Sequence, residues 1–129
     1  MSPKKAITQE DLIAMTVDEL VGCFAEIALA QDKAIEQDNN RGYRKLYAQM
    51  EAVDQELRAR GREARLALMR LYDYPNMQVR LKAAIYTLGV APEAARHLIQ
   101  AIADLGWPPQ ALDAGMTIVN LDNGVFKPD

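Results

Sequence analysis

The spacing of prolines and glycines in the second half of the chain constrains its fold more than any other feature. Three short breaks, "YDYPN", "GVAP" and "GWPP", interrupt the helical periodicity of apolar residues, and each contains a proline. Pro75, Pro92 and Pro108 stand near expected helix starts, where a missing N–H costs nothing, and Gly89 and Gly106 follow expected helix ends. Helices joined by so few residues lie roughly antiparallel to their neighbours. The second half is therefore predicted to form consecutive helical hairpins.

Two longer helices are predicted before these breaks. In "TVDEL", Thr16 and Glu19 have the spacing of a capping box that starts a helix, and "QDNNRG" breaks that helix near residue 37. The next periodic set begins at Tyr43 and ends at Gly61, which can take the left-handed conformation that closes a helix. The four shorter elements that follow are predicted over about residues 62–72, 76–88, 93–105 and 109–122.

Composition agrees with a single all-α domain. Half of the residues are apolar, about a quarter are charged, and no stretch alternates polar and apolar residues for long enough to predict a strand. A chain of 129 residues has room for one domain with a real core. Residues 1–129 are thus predicted to be one domain, with residues 1–15 a short helix, about 8–14, or a frayed start, and residues 123–129 a tail. No apolar run has the length of a signal peptide or membrane span, so a cytoplasmic location without membrane contact is expected.

The segment "NMQVRLKAAIYTLG" predicts a helix with two apolar sides. At 3.6 residues per turn its apolar residues fall on two nearly opposite faces, with polar residues at the edges between them. A surface helix of a compact bundle needs one apolar stripe, whereas a helix inside a solenoid meets both its hairpin partner and the next repeat. Arg80 falls on one edge, where its stem can pack while the guanidinium reaches a carboxylate or helix-end carbonyls of a neighbouring hairpin. Asp73 and Asp104 are the candidate carboxylates. The two faces are Met77, Leu81, Ala84 and Leu88 against Val79, Ala83 and Tyr86, and the edges are Gln78 and Lys82 against Asn76, Arg80 and Thr87.

"VRLKAAIYTLG" resembles a HEAT-like repeat, with a Val-Arg pair and small alanines that let helices approach. Residues 92–122 supply a second hairpin of similar length without a second Val-Arg pair. Nearly the whole chain, through "TVDELVGCFAEIALAQDKA", "NRGYRKLYAQM", "ELRARG", "LMRLYDYPNMQVRLKAA" and "APEAA", is similar to a family of small bacterial proteins catalogued as domain of unknown function number two thousand and nineteen. This resemblance implies an all-α, HEAT-like α-α superhelix of about three stacked helical hairpins. It implies no activity and carries over no catalytic residue.

Motifs for ordinary catalytic or metal chemistry are not visible in the sequence. Cys23 falls on the apolar side of its helix and is expected to be a buried thiol. His97, the only histidine, is expected to be exposed, and with Glu93 it supplies fewer ligands than a transition-metal site needs. No Gly-rich phosphate loop or Gly-x-Ser-x-Gly is present, so no cofactor and no metal are expected. An enzyme with carboxylates paired across hairpins stays open as an alternative.

The charge distribution singles out the predicted second helix. Residues 1–40 carry 3 basic and 8 acidic side chains, residues 41–70 carry 8 and 4, and residues 71–129 carry 4 and 6. The basic stretch either pairs with the acidic start or faces an acidic partner. Binding of nucleic acid through "NNRGYRKLY" is a further alternative, which the net charge of −3 and the pI of 5.2 disfavour.

Non-enzymatic protein binding is the function that these features favour. Stacked helical hairpins present a curved surface whose usual task is to hold another protein. A toxin-neutralising protein or a scaffold, with an unidentified protein partner, fits a small acidic helical chain. Exposed aromatic and arginine side chains would be the anchors of such a surface. The candidate partner-binding residues are Arg41, Arg44, Tyr74, Arg80, Tyr86 and Trp107.

Overall fold

Residues 7–129, the range that the computed structural model describes, contain seven α-helices and one 3₁₀ segment. The expected all-α class is confirmed, and no strand occurs within this range. The expected frayed start falls partly on residues 1–6, which lie outside the described residues. The elements are α1 (Gln9–Ala14), α2 (Val17–Glu36), α3 (Asn40–Arg60), α4 (Arg62–Leu66), the 3₁₀ segment (Ala67–Leu71), α5 (Met77–Thr87), α6 (Pro92–Leu105) and α7 (Gln110–Asp122).

Capping boxes fix the starts of the first two helices. The Thr16 hydroxyl accepts the Glu19 N–H at 3.1 Å, and the Glu19 carboxylate accepts the Thr16 N–H at 3.0 Å. These bonds lower the pKa of Glu19, because the charged carboxylate is the better acceptor. Thr8 and Asp11 form the same reciprocal pair at the start of α1. Both the predicted capping box and the short first helix are confirmed.

Helix α3 begins earlier than the sequence break suggests. The Asn39 side chain accepts the Gly42 N–H at 2.9 Å and caps the helix, so that "NRG" of "QDNNRG" belongs to α3. At its other end, Gly61 has a φ of 106°, a value that L-residues with a side chain rarely adopt. The chain therefore turns directly from α3 into α4.

The three predicted hairpins are present, with one change in the second. Helix α2 packs on α3, the 3₁₀ segment packs on α5, and α6 packs on α7. The continuous helix expected over 62–72 is instead α4 followed by the 3₁₀ segment. Leu68 and Leu71 are both buried there. Their spacing of three residues matches the period of a 3₁₀ turn, which aligns both side chains on one side.

Helix α5 stands between two separate core clusters, as its two apolar faces predict. Val79 and Ala83 belong to the cluster that α5 shares with α2 and α3. Leu81 and Ala84 belong to the cluster that it shares with α6 and α7. Helix α5 also contacts α2, α6 and α7 directly, so it connects the first hairpin to the last. This is the packing of an internal helix in a stack of repeats.

A chain of buried amides crosses the stack. Gln78 Nε2 donates to Gln31 Oε1 at 3.1 Å, and Gln110 Nε2 donates to Gln78 Oε1 at 3.0 Å. At its edge, Asp32 accepts from Asn76 Nδ2 at 3.0 Å and from Gln110 Nε2 at 3.3 Å. Buried amides are costly unless they are paired, so these bonds hold α2, α5 and α7 in one register.

Candidate functional site

A cleft of about 410 Å³ lies between α3, α5 and the C-terminal segment, residues 123–129. We call it the charged cleft, because basic and acidic side chains from distant parts of the chain meet there. Its lining residues are Tyr47, Glu51, Asp54, Gln55, Arg58, Arg65, Lys82, Ile85, Tyr86, Gly89, Asp113, Thr117, Phe126, Pro128 and Asp129.

Asp54 is the buried carboxylate of the charged cleft, with 2% of its surface exposed. Its Oδ2 accepts from Arg58 Nε at 2.7 Å, one helical turn away on α3. Its Oδ1 is buried and has no hydrogen-bond partner within residues 7–129, and the same is true of Nε of the neighbouring Arg65. Burial raises the pKa of Asp54 because lost hydration outweighs the attraction of Arg58. The cleft therefore holds one acceptor and one donor whose hydrogen-bonding capacity is unused.

Tyr86 and Lys82 form the α5 wall of the charged cleft. The Tyr86 hydroxyl donates to Glu51 Oε1 at 2.7 Å, which crosses from α5 to α3. Burial raises the pKa of Tyr86, and Glu51 adds to this effect, so the phenol keeps its proton. The Lys82 ammonium lies 5.9 Å from the centre of the Tyr47 ring, within the range of a cation–π contact. Tyr86 of α5 thus contacts the charged Glu51 of α3, and Tyr47 of α3 contacts the charged Lys82 of α5.

The C-terminal segment closes one side of the charged cleft. Arg58 Nη1 donates to Asp129 Oδ1 at 3.0 Å, and Arg65 Nη1 donates to the main-chain oxygen of Asp129 at 3.1 Å. The hydrogen bond from Arg58 lowers the pKa of the Asp129 side chain. The cleft thus already binds a carboxylate, which the chain itself supplies.

A second surface is apolar and lies on α7. Leu112, Met116 and Val119 are 70%, 53% and 49% exposed, and their spacing places them within one stripe of the helix. We call these three residues the α7 stripe. On the other side of the same helix, Ala114 and Ile118 are buried in the second core cluster. Helix α7 is therefore apolar on two sides, like α5, but only one of its sides is covered within residues 7–129.

Arg41 and Arg44 lie exposed in the first turns of α3, as predicted for candidate binding residues. Within residues 7–129, neither they nor the adjacent Lys45 form an ion pair. Of the two alternatives for the basic stretch, pairing with the acidic start does not occur at these positions, although Arg70 pairs with Asp18.

Arg60, at the end of α3, instead forms contacts within the chain. Arg60 Nη2 donates to the carbonyl oxygens of Leu12 and Ile13 at 3.0 and 3.2 Å, and Arg60 Nε pairs with Glu56 at 2.8 Å. These bonds add acceptor partners for carbonyls in the last turn of α1, where the Leu12 oxygen also accepts the Met15 N–H at 3.1 Å. The excess of arginines in residues 41–70 is thus partly explained by packing within the chain.

The predicted carboxylate partner of Arg80 was wrong. Asp73 and Asp104 are both exposed, and neither pairs with Arg80. Arg80 Nε is buried without a hydrogen-bond partner in the described part of the chain. An exposed carboxylate gains little by leaving water for an ion pair. Gln78, at the opposite edge of α5, supplies the polar contact between hairpins.

The remaining predicted binding residues lie on different parts of the surface. Tyr74 is half-buried against the first core cluster, and Trp107 is 67% exposed in the turn before α7. Tyr86 lines the charged cleft. The structure therefore does not bring the six predicted residues together into one site.

Sequence reasoning missed most of the charged cleft. Asp54 and Arg58 have the four-residue spacing of a helical ion pair, a signal that the sequence does contain. Arg65, Lys82 and Asp129 carry no such local signal, because they reach the cleft from separate elements.

Cys23 is buried, as predicted, and burial raises the pKa of its thiol. His97 is exposed, as predicted. Among residues 7–129, no group of three His, Cys, Asp or Glu side chains is placed to hold a metal ion. None of the helices in that range combines the length and hydrophobicity needed to cross a membrane.

Comparisons with known proteins agree with this architecture. The model of a family described as "Domain of unknown function (DUF2019)" matches residues 18–122, which confirms the resemblance noted in the sequence. The crystal structure of the protein RPA1889 from Rhodopseudomonas palustris CGA009 is similar, with a TM-score of 0.88 and 45% sequence identity. The similarity covers 92% of this chain and 98% of that chain. A comparison with curated proteins gives no match.

Proposed function

This chain belongs to the DUF2019 family, and we propose that it is a non-enzymatic, protein-binding helical-repeat module that binds its partner through the α7 stripe. The observation that carries the proposal is the uncovered apolar side of α7, formed by Leu112, Met116 and Val119. In repeat proteins the terminal repeat normally has a polar outer face, because no further repeat covers it. An exposed apolar stripe at that position is typical of a surface that another protein covers.

The comparison of α5 with α7 supports this proposal. Both helices have two apolar sides, and the second side of α5 packs on the following hairpin. The corresponding side of α7 is exposed to solvent, although its side chains are of the same apolar kind. A partner that packs on this side of α7 would bury it in the same way as the following hairpin buries the second side of α5.

The partner that fits this surface is an amphipathic helix of another protein. A helix laid on α7 would meet apolar residues at the spacing of helix-in-groove recognition. Gly115 lies beside the α7 stripe, and a Cβ built on it meets no atom within 4 Å, so a helix can approach closely there. Trp107 is an aromatic side chain of the kind that often dominates binding energy at such surfaces.

The experiment compares affinity capture from a native lysate between the wild type and the double variant Leu112→Asp and Met116→Asp. These positions are exposed, so the double variant should keep the melting temperature of the wild type. Ile13→Asp is the matched control, since Ile13 is also apolar and 58% exposed but lies on α1. A protein that is retained by the wild type and the control, and lost from the double variant, supports the α7 stripe as the contact surface. Equal retention by all three proteins would contradict it.

The identity of the captured protein distinguishes the narrower roles. A toxin would make this chain a toxin-neutralising protein, and several unrelated proteins would make it a scaffold. Light scattering tests whether a second copy of the chain covers the stripe instead. The proposal includes a cytoplasmic location in a bacterium, where the lone Cys23 stays reduced.

A further inference from the structure

The charged cleft is lined by Asp113 and Thr117 of α7 and does not include the α7 stripe, so an inference about it does not depend on the proposed function. We propose that this cleft is a binding site for an extended acidic peptide segment, and that Phe126–Asp129 of the chain itself occupies it in the free protein.

Two arginines from different elements converge on one residue of the segment. Arg58 on α3 donates to the Asp129 carboxylate at 3.0 Å, while Arg65 on α4 donates to its main-chain oxygen at 3.1 Å. One contact engages the acidic side chain, and the other engages the main chain of the same residue. Both donors are charged guanidinium groups, which strengthens their hydrogen bonds to oxygen acceptors.

Gly89 provides the space in which the peptide main chain lies. A Cβ at this position would be 2.5 Å from the main-chain carbon of Asp129 and 3.2 Å from Arg65 Nη2. Real Cβ atoms essentially never approach a carbon atom so closely. The glycine therefore allows a close approach between the peptide and the start of the α5–α6 turn.

Burial alternates along the segment, which is the pattern of an extended peptide. Phe126 and Pro128 are half-buried, whereas Lys127 and Asp129 are exposed. Phe126 packs against the second core cluster, and its N–H donates to the Asn120 oxygen at 3.0 Å. A ligand of this site is thus an extended segment with an aromatic residue three positions before an acidic one.

The chain's own segment leaves part of the site unused. Asp54 Oδ1 and Arg65 Nε are buried without a partner in residues 7–129, and both side chains line the cleft. They are one acceptor and one donor, the pair that a peptide N–H and C=O require. A competing segment that satisfies both gains hydrogen bonds that Phe126–Asp129 does not make. Such a segment can displace Phe126–Asp129, whose Asp129 side chain is 88% exposed and weakly held.

The acidic side chains of the lining do not oppose this assignment. Asp54 is paired with Arg58, and Glu51 accepts the Tyr86 hydroxyl. Asp113 is exposed on α7. The acidic residue of the ligand belongs beside Arg58, where Asp129 is bound.

The test uses nitrogen-15-labelled full-length protein and an acetylated, amidated peptide with the sequence of residues 123–129, NGVFKPD. In Asp129→Ala, the amide signals of residues 125–129 should move toward those of a mobile chain. Because the internal competitor is weakened, this variant should bind the peptide about threefold or more tightly than the wild type does. The Arg58 and Arg65 side-chain Nε–H signals should shift as the peptide binds. Asp122→Ala, which removes an exposed carboxylate paired with Arg96, is the matched control and should behave as the wild type.

Two further probes make the result decisive. The peptide NGVFKPA, which lacks the carboxylate, should bind more weakly than NGVFKPD does. Gly89→Ala should release the C-terminal segment and also prevent peptide binding, whereas Gly22→Ala should do neither, because a Cβ there meets no atom within 4 Å. The proposal is overturned if Asp129→Ala frees the segment but shows no saturable binding of the peptide. It is equally overturned if neither Asp129→Ala nor Gly89→Ala changes the signals of residues 125–129.

Discussion

Gln110 Nε2 on α7 donates a 3.0 Å hydrogen bond to Gln78 Oε1 on α5, and both side chains are buried. The two residues are 32 positions apart in the chain. Gln78 in turn donates to Gln31 on α2, so a single side chain links the first hairpin to the last.

Replacing Gln78 with leucine should destabilise the protein. The substitution keeps the volume but leaves the Gln31 oxygen buried without its donor, at a cost of about 1–3 kcal/mol. Urea unfolding followed by circular dichroism measures this loss. Gln100→Leu is the control, since Gln100 is exposed and bonds only within α6, to Asp104. Gln31 and Gln78 bond to each other, so the double variant Gln31→Leu and Gln78→Leu should lose less free energy of unfolding than the sum of the two single variants. An additive loss would contradict this account.

The Asp54→Asn variant should change how stability depends on pH. Burial raises the folded-state pKa of Asp54 above its ordinary value of 3.8, so the carboxyl favours the folded state only while it is protonated. This contribution is fully present below about pH 3.8 and is lost as pH rises through the folded-state pKa. The stability of the wild type relative to Asp54→Asn should therefore increase as the pH is lowered. Thermal unfolding of both proteins across acidic pH measures this difference, and a difference independent of pH would be inconsistent with a raised pKa.

Arg80→Met should leave the protein as stable as the wild type, or up to about 1 kcal/mol more stable. The methionine keeps an apolar stem and removes a buried Nε that has no hydrogen-bond partner within residues 7–129. Arg58→Met is the comparison that should lose stability, because it leaves the buried Asp54 without its cation. Denaturant midpoints of the two variants, compared with that of the wild type, measure both changes in stability. A large loss in Arg80→Met would show that this guanidinium stabilises the fold by a contact that the structure does not contain.

Reversing Arg41 and Arg44 to glutamate should change the free energy of unfolding by no more than about 0.5 kcal/mol. Both side chains are exposed and form no ion pair in the described part of the chain. If the partner binds the α7 stripe alone, its affinity should also be unchanged. Calorimetry with the captured partner gives the affinity, and differential scanning fluorimetry gives the melting temperature. Lost affinity with unchanged stability would extend the contact surface to the start of α3.

The sequence alone determined the local features of this protein. The capping box at Thr16, the turn at Gly61 and the two apolar faces of α5 are set by residues within one or two helical turns of each other. Such short-range spacing is sufficient because helix capping and helix periodicity are local properties. The all-α hairpin architecture followed from these features and from the short connections.

Which polar groups meet depends on the tertiary packing of the hairpins. Helical periodicity gave the angular positions of Gln78 and Arg80, but it could not show that Gln78 would be the buried residue with partners and Arg80 the one without. The charged cleft likewise joins Arg58, Arg65 and Asp129, which are far apart in the sequence. Contacts of this kind depend on the rotation and axial offset of each helix relative to its neighbours. Those quantities are fixed by the packing of whole hairpins, which no local pattern of residues encodes.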